Sequence, residues 1–380
     1  MDLTLFFSPV PEEILKDAES PGSFLKNIRV YDEKIPDYRT ANLAIIGVPE
    51  ERGTDLNTGC ASGADFIRKK LYRLKRGTGK AQIIDLGNLR PGMDLDETYT
   101  RLSEVCRLLL ENNTLPLILG GSHDLDIGQY RAYQDLNKLV SFLNVDAFMD
   151  LEEGYEFPMN RQHINKVLMH EPNYLFSYTH LAHQSYLADP GITAVMEKLF
   201  FEAYRLGTIR TNLMEMEPAI RSADLLSFDI TAVRSSDAPG NQMAQPFGLT
   251  GEEACQLCWY AGLNEKLSSA GFYEYNPSMD DEQQKTAAVV ATMVWYFIEG
   301  YSNRKAEQDF KSNDFLRFSV AMPVEPEVMI FYKSKVTDRW WMEVPGSGRA
   351  MVVPCTYADY ETATKGEIPE RYIGTLSRMI

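Results

Sequence analysis

The sequence predicts an α/β protein: a three-layer α/β/α sandwich around a mostly parallel sheet, with a β-rich extension at the C-terminus. Three observations carry this. From residue 43 to about 311 short apolar runs alternate with stretches of helical periodicity, the pattern of parallel strands joined by helical crossovers. After about residue 312 the pattern changes to β-like, aromatic segments. Apolar residues make up 44% of the 380, enough for a sizeable core.

In chain order, residues 1–41 are polar, proline-containing and weakly patterned, and read as an N-terminal arm or an edge element. The domain expected over 42–311 has strand candidates LAIIGV (43–48), QIIDL (82–86), LPLILG (115–120), LVSFLNV (139–145), YLFSY (174–178), LLSFDI (225–230) and GFYEYN (271–276). Between them lie helix candidates ASGADFIRKKLYRL, LDETYTRLSEVCRLLLENN, TAVMEKLFFEAYRLG, MEMEPAIRSA, GEEACQLCWYAGLNEKLSSA and DEQQKTAAVVATMVWYFIEGY. The extension over 312–380 contains FLRFSVAMP, EVMIFYKSK and DRWWMEV, with a turn signal PGSG at 345–348 and a polar tail. Its apolar runs could not stay solvated, so it is expected to pack on the core or a neighbouring subunit. Adjacent Trp340 and Trp341 should point to opposite faces, one into the core and one outward as a candidate protein-partner patch.

Composition narrows the function. A net charge of −16, from 54 acidic and 38 basic residues, repels phosphate backbones and argues against a nucleic-acid partner. No run approaches the length of a membrane span, and the N-terminus MDLTLFFSPVPEEILKD lacks a basic segment and a long apolar stretch, so a soluble cytoplasmic protein is expected. Five irregularly spaced cysteines form no disulfide framework. Cys255 and Cys258 form a C-x-x-C, but on a helical pattern with no second Cys or His pair nearby, and read as small helix residues.

Polar chemistry concentrates at three strand ends. LILGGSHDLDIG runs from a buried strand through two glycines, expected to let the backbone turn tightly, to His123. LNVDAFMDL places Asp146 and Asp150 just past a strand; on an extended chain they would share a face with Phe148. LLSFDITAVRSSDAPG ends a third strand at Asp229. Ligands in such sheets bind beyond the carboxyl ends of the strands. One imidazole and three carboxylates there suggest a divalent metal.

The motifs GGSH (120–123), DAFMD (146–150), SFDIT (227–231) and EYNP (274–277) resemble, in order and spacing, the G-G-x-H, D-A-H-x-D, S-F-D-x-D and E-x-N-P motifs of the ureohydrolase superfamily, which includes arginase, agmatinase and formimidoylglutamase. GVPEERGTDLNTGCASGADFIRKKL, APG (238–240), GLT (248–250) and the pair Thr286-Ala287 extend the resemblance over about residues 42–300. GGSHD followed by Gly128-Gln129-Tyr130, and LNVDA, look most like the formimidoylglutamase branch. The resemblance implies an arginase-like fold, a manganese site, a small amidine or guanidine ligand and a homo-oligomer. By it, His123, Asp146, Asp150 and Asp229 are the ligands of a first metal, all present. The second metal's private ligands fall on Phe148 and Thr231, and both are lost; the family's next Asp-Pro has become Arg234-Ser235.

A two-ion hydrolase needs both ions to bind and acidify a bridging water. One retained divalent metal, manganese by resemblance, is therefore expected, or none. Without metal the carboxylates would need another countercharge, for which Arg234 is the candidate. By the resemblance Glu274 matches the Glu that grips a guanidinium or amidinium; it would otherwise be a strand-end carboxylate capping the following helix. His163, thirteen residues past Asp150, matches the spacing of arginase's proton-shuttle histidine, although NRQHINKVL equally reads as a helix start. His180 and His183 read as surface or satisfied core histidines, and His170 carries no functional signal. Two functions stand: a catalytically impaired member kept for binding or scaffolding, and a single-metal hydrolase of a linear amidine or guanidine C–N bond with formimidoylglutamate as the leading substrate.

Overall fold

The computed structural model describes residues 2–16, 20–346 and 350–378, so the PGSG turn at 345–348 lies partly outside the described residues. Ten strands form one sheet: β1 (Phe7–Ser8), β2 (Arg29–Val30), β3 (Leu43–Gly47), β4 (Ile83–Leu89), β5 (Leu115–Leu119), β6 (Val140–Val145), β7 (Leu175–His183), β8 (Glu202–Arg205), β9 (Leu225–Asp229) and β10 (Ser269–Tyr273). Their order is β1-β4-β3-β5-β10-β9-β6-β7-β8, with β2 against β4. Only β1 runs antiparallel to its neighbour.

Alternation along the strands builds two separate cores. Leu43, Ile45, Leu117, Leu119, Leu226 and Phe228 face helices Gly63–Leu71, Gly251–Leu263 and Lys285–Ser302. Ala44, Ile46, Ile84, Leu86, Ile118 and Leu225 face the opposite way, against helices Leu95–Glu111 and Asp126–Asp135. Each fully buried Leu or Phe contributes about 1.5–3 kcal/mol by leaving water. The helix starts are written locally: Thr250 and Glu253 form a reciprocal capping box, and Asp94 accepts from the Glu97 N–H at 2.8 Å.

Several elements depart from the sequence expectation, two of them beside the central strands. Helix Asp126–Asp135 was not expected, because DIGQYRAYQD is buried on most sides and shows no apolar stripe. The segment read as one helix over TAVMEKLFFEAYRLG instead breaks after Lys198, where Phe200 takes a left-handed φ of 55°, and continues as edge strand β8.

Beyond residue 312 a separate antiparallel sheet forms in sequence order: β11 (Phe315–Ala321), β12 (Val328–Ser334), β13 (Trp340–Val344) and β14 (Met351–Cys355). Two helices follow, Tyr357–Thr364 and Glu370–Ser377, where the sequence had suggested only a polar tail. Trp340 and Trp341 do point to opposite faces, but both are buried, which corrects the expectation of an exposed tryptophan patch. One face is covered by Tyr360, whose ring lies 4.9 Å from Trp340. On the other, the Arg221 guanidinium stands 4.2 Å over Trp341 while its Nη2 donates to the Trp340 carbonyl at 3.0 Å. Among the described residues no helix is long and apolar enough to cross a membrane.

Two outcomes are expected. Arg68 is fully buried and forks onto Asp85 of β4, with Nε and Nη2 each 2.9 Å from a carboxylate oxygen. Arg68→Met leaves Asp85 buried and unpaired, and denaturant unfolding should show a loss of about 3–5 kcal/mol; a loss under about 1 kcal/mol would contradict the pairing. Limited proteolysis of the native chain should leave residues 312–378 attached; rapid cleavage near residue 305 with release of a stable core would refute packing of the two parts.

Candidate metal centre

The sheet order sets β5, β10, β9 and β6 side by side, so the polar strand ends form one row. After β5 the two glycines serve close approach rather than an unusual turn. A Cβ on Gly121 would lie 1.8 Å from the Glu50 carbonyl oxygen, and one on Gly120 would lie 2.3 Å from the Tyr273 ring. His123 follows, fully buried. Its Nε2 is 2.9 Å from Ser227 Oγ, whose hydroxyl donates to Asp126 Oδ2 at 2.8 Å. Nδ1 therefore faces the carboxylates: Asp229 Oδ2 at 3.2 Å, Asp146 Oδ2 at 3.3 Å and Asp150 Oδ2 at 3.6 Å.

Asp146 and Asp150 do not sit on an extended chain as expected. Strand β6 stops at Val145, and Asp150 reaches the cluster through a left-handed φ of 50°. The other oxygens of Asp146, just past β6, and Asp229, the last residue of β9, are tied down by the protein. Asp146 Oδ1 accepts from the Phe148 N–H at 3.0 Å and the Thr231 hydroxyl at 2.9 Å. Asp229 Oδ1 accepts from the Thr231 N–H at 2.6 Å. His180, missed as a supporting residue, is a buried histidine whose Nε2 lies 3.1 Å from the Asp146 carbonyl oxygen, with Tyr178 on its Nδ1 at 3.0 Å. Burial and nearby His183 hold its pKa down to about 3, so it acts here as a neutral donor.

The cluster demands positive charge. Burial and the charges of Asp229 and Asp150 push Asp146 far above the usual carboxylate range. Burial disfavours a charged His123, but the carboxylates of Asp146, Asp150 and Asp229 facing its Nδ1 outweigh that and hold its pKa high. Asp150, despite burial, is held low by His123 and His163. His123 Nδ1 and Asp146 Oδ2 are buried without a hydrogen-bond partner. Orphaned polar atoms around one point, with ligand atoms of His123, Asp146, Asp150 and Asp229 all within 4.8 Å of one another, fit a divalent cation.

Arg234 is not the countercharge. It lies at the surface, 3.0 Å from Asp237. Arg161, which the sequence reading passed over, takes that part: its Nε is 3.2 Å from Asp150 Oδ1, Nη2 bonds Glu152, and the guanidinium lies 4.5 Å over the Phe148 ring. The aromatic ring in the DAFMD motif thus supports a cation.

Glu274 follows β10 at a left-handed φ of 67°. Its Oε1 accepts from the His123 N–H at 2.8 Å and Asn160 at 3.0 Å, and Oε2 from Asn57 at 2.7 Å. Burial and the Asp229 charge raise its pKa to about 7. It does not cap the next turn, which Asn276 does. A cavity of about 250 Å³ opens onto this group, lined by Phe148, Asp150, Arg161, Asp229, Thr231 and Glu274 among others. His163 is elsewhere. It is fully buried and does not line the cavity, its Nδ1 2.8 Å from Asp126 Oδ1 and its Nε2 3.2 Å from Asp150 Oδ2. A shuttle needs access to solvent and the reacting group; His163 begins the helix His163–Leu168 and packs against Asp126 and Asp150 instead. Cys255 and Cys258 are buried on helix Gly251–Leu263 and join no metal-binding group among the described residues.

The family model described as Arginase family matches residues 41–299. Formimidoylglutamase of Streptococcus gordonii is 23% identical over 299 residues, covering 73% of this chain and 90% of its own. That of Corynebacterium efficiens is 26% identical over 305 residues, covering 75% and 93%. The crystal structure of Trypanosoma cruzi formiminoglutamase with Mn2+ superposes with a TM-score of 0.65 at 21% identity, covering 71% of this chain and 96% of that one.

Manganese at about a hundred times its dissociation constant should stabilise the folded chain by about 2.7 kcal/mol. Thermal denaturation with and without chelator reads this as a rise in Tm, which His123→Ala should abolish; an unchanged Tm in the native protein would refute a metal at this cluster.

Proposed function

Since the chain belongs to the arginase family, we propose that its strand-end site holds one divalent cation and binds a small amidine or guanidine beside it, without the two-ion hydrolysis of the family pattern. The observation that supports this most is the Thr231 hydroxyl on Asp146 Oδ1. It occupies a carboxylate oxygen that a second ion would need, while Phe148 supplies no donor and Arg161 brings a like charge to the same wall.

His123, Asp146, Asp150 and Asp229 would hold the cation, which would supply a Lewis acid at the cavity floor. The chain's own groups do the rest. Glu274 is fixed by Asn57, Asn160 and the His123 N–H, and its carboxylate can accept N–H bonds from an amidinium entering the cavity. Phe148 presents an apolar wall. Formimidoylglutamate leads the ligand class because the curated relatives are named for that substrate. A second reading, slow hydrolysis with one metal, is favoured by the complete set of one histidine and three aspartates, two of which, Asp150 and Asp229, line the same cavity as Glu274.

Elemental analysis after dialysis against manganese should find one ion per native chain. Phe148→His with Thr231→Asp should raise that toward two, and neither change alone should suffice. Turnover of arginine, agmatine or formimidoylglutamate should be absent or far below the ordinary range of about 1–1000 per second. Two ions per native chain, or manganese-dependent turnover in that range, would refute the impaired-site reading; slow turnover with one ion would favour the second reading.

A further inference from the structure

The imidazole of His163 is built into the floor of the cluster in a way the four-ligand set does not use. It opens helix His163–Leu168, is fully buried, and its ring centroid lies 4.2 Å from that of His123. One carboxylate, Asp126, orients both rings. Its Oδ1 takes His163 Nδ1 at 2.8 Å, and its Oδ2 takes Ser227, which in turn meets His123 Nε2 at 2.9 Å. The remaining nitrogens, His163 Nε2 and His123 Nδ1, both face Asp150 Oδ2, at 3.2 and 3.6 Å. A carboxylate backing the far nitrogen of an imidazole is the usual support of a metal-ligating histidine.

We infer that the centre offers its one ion two mutually exclusive seats: an oxygen-rich seat of His123, Asp146, Asp150 and Asp229, and a histidine-rich seat of His123, His163 and Asp150 that takes Zn2+. One donor atom from each member of the second group lies within 4.8 Å of the others. Bonds of about 2.0–2.2 Å in a tetrahedral zinc shell place neighbouring ligands about 3.3–3.6 Å apart, which the separations of 3.2 and 3.6 Å match. The seats share His123 and Asp150, so filling one empties the other. Donor type separates them: three carboxylates and one imidazole suit Mn2+, whereas two imidazoles and one carboxylate suit Zn2+. The inference rests on the one-ion reading and adds that the ion's identity decides where it sits.

The test loads the full native chain, stripped with chelator, separately with Zn2+ and Mn2+. X-ray absorption at each metal edge should count two imidazoles on zinc and one on manganese. In competition titrations His163→Asn should weaken Zn2+ binding at least tenfold more than it weakens Mn2+ binding, because Mn2+ loses only a supporting contact to Asp150. Asp126→Asn should weaken Zn2+ about tenfold, within the usual range for a supporting carboxylate. A single imidazole on zinc in the native chain, or equal losses for both metals in His163→Asn, overturns the zinc seat and leaves the one-ion reading standing. Binding of neither metal overturns both.

Discussion

Three carboxylates packed within 3.6 Å of one buried imidazole nitrogen cannot be left without positive charge. Removing an unpaired carboxylate from water costs several kcal/mol even after the protein relaxes, and here the three also repel one another. Asp146 is pushed well above the usual carboxylate range, and the carboxylates around His123 hold its pKa high. Arg161 and His163 supply cations from either side of Asp150. These partners give the cluster a means of persisting without metal, yet leave His123 Nδ1 and Asp146 Oδ2 unsatisfied. The arrangement is one that a further cation would complete, with part of the charge already supplied by the chain.

The rest of the fold serves that constraint. Parallel strands put every C-terminal end on one edge, and the order β5-β10-β9-β6 makes the ends that carry His123, Glu274, Asp229 and Asp146 neighbours. Backbone irregularities then aim the side chains: Asp150 and Glu274 both adopt left-handed φ without being glycine. Glu274 also links two of the ends directly, through its bond to the His123 N–H. Around the cluster lies a ring of groups that do not line its cavity but fix its geometry: Asp126, Ser227, His180 and Tyr178.

Much of this was legible in the sequence because it is local. A buried apolar run followed by GGSH, or SFD at a strand end, announces its place without tertiary knowledge, and the seven central strands were read within a few residues, β7 apart. What escaped depends on distant contacts. Arg161 looks like any loop arginine until the chain folds it over Phe148, and Arg234, closer in sequence to Thr231, turns outward to Asp237 instead. His163 has the spacing of a shuttle, but the helix it begins turns its ring beneath the sheet edge. Both tryptophans of β13 were expected to divide between core and surface; alternation held, and a second packed face buried the outward one.

The central proposal is that Phe148, Thr231 and Arg161 together limit a two-ion pattern to one bound cation. Anomalous scattering from crystals grown in manganese tests it most directly. The account predicts one peak per chain, within bonding distance of His123 Nδ1 and of Asp146, Asp150 and Asp229. A second peak beside Phe148, with the Thr231 hydroxyl swung away from Asp146, would contradict it.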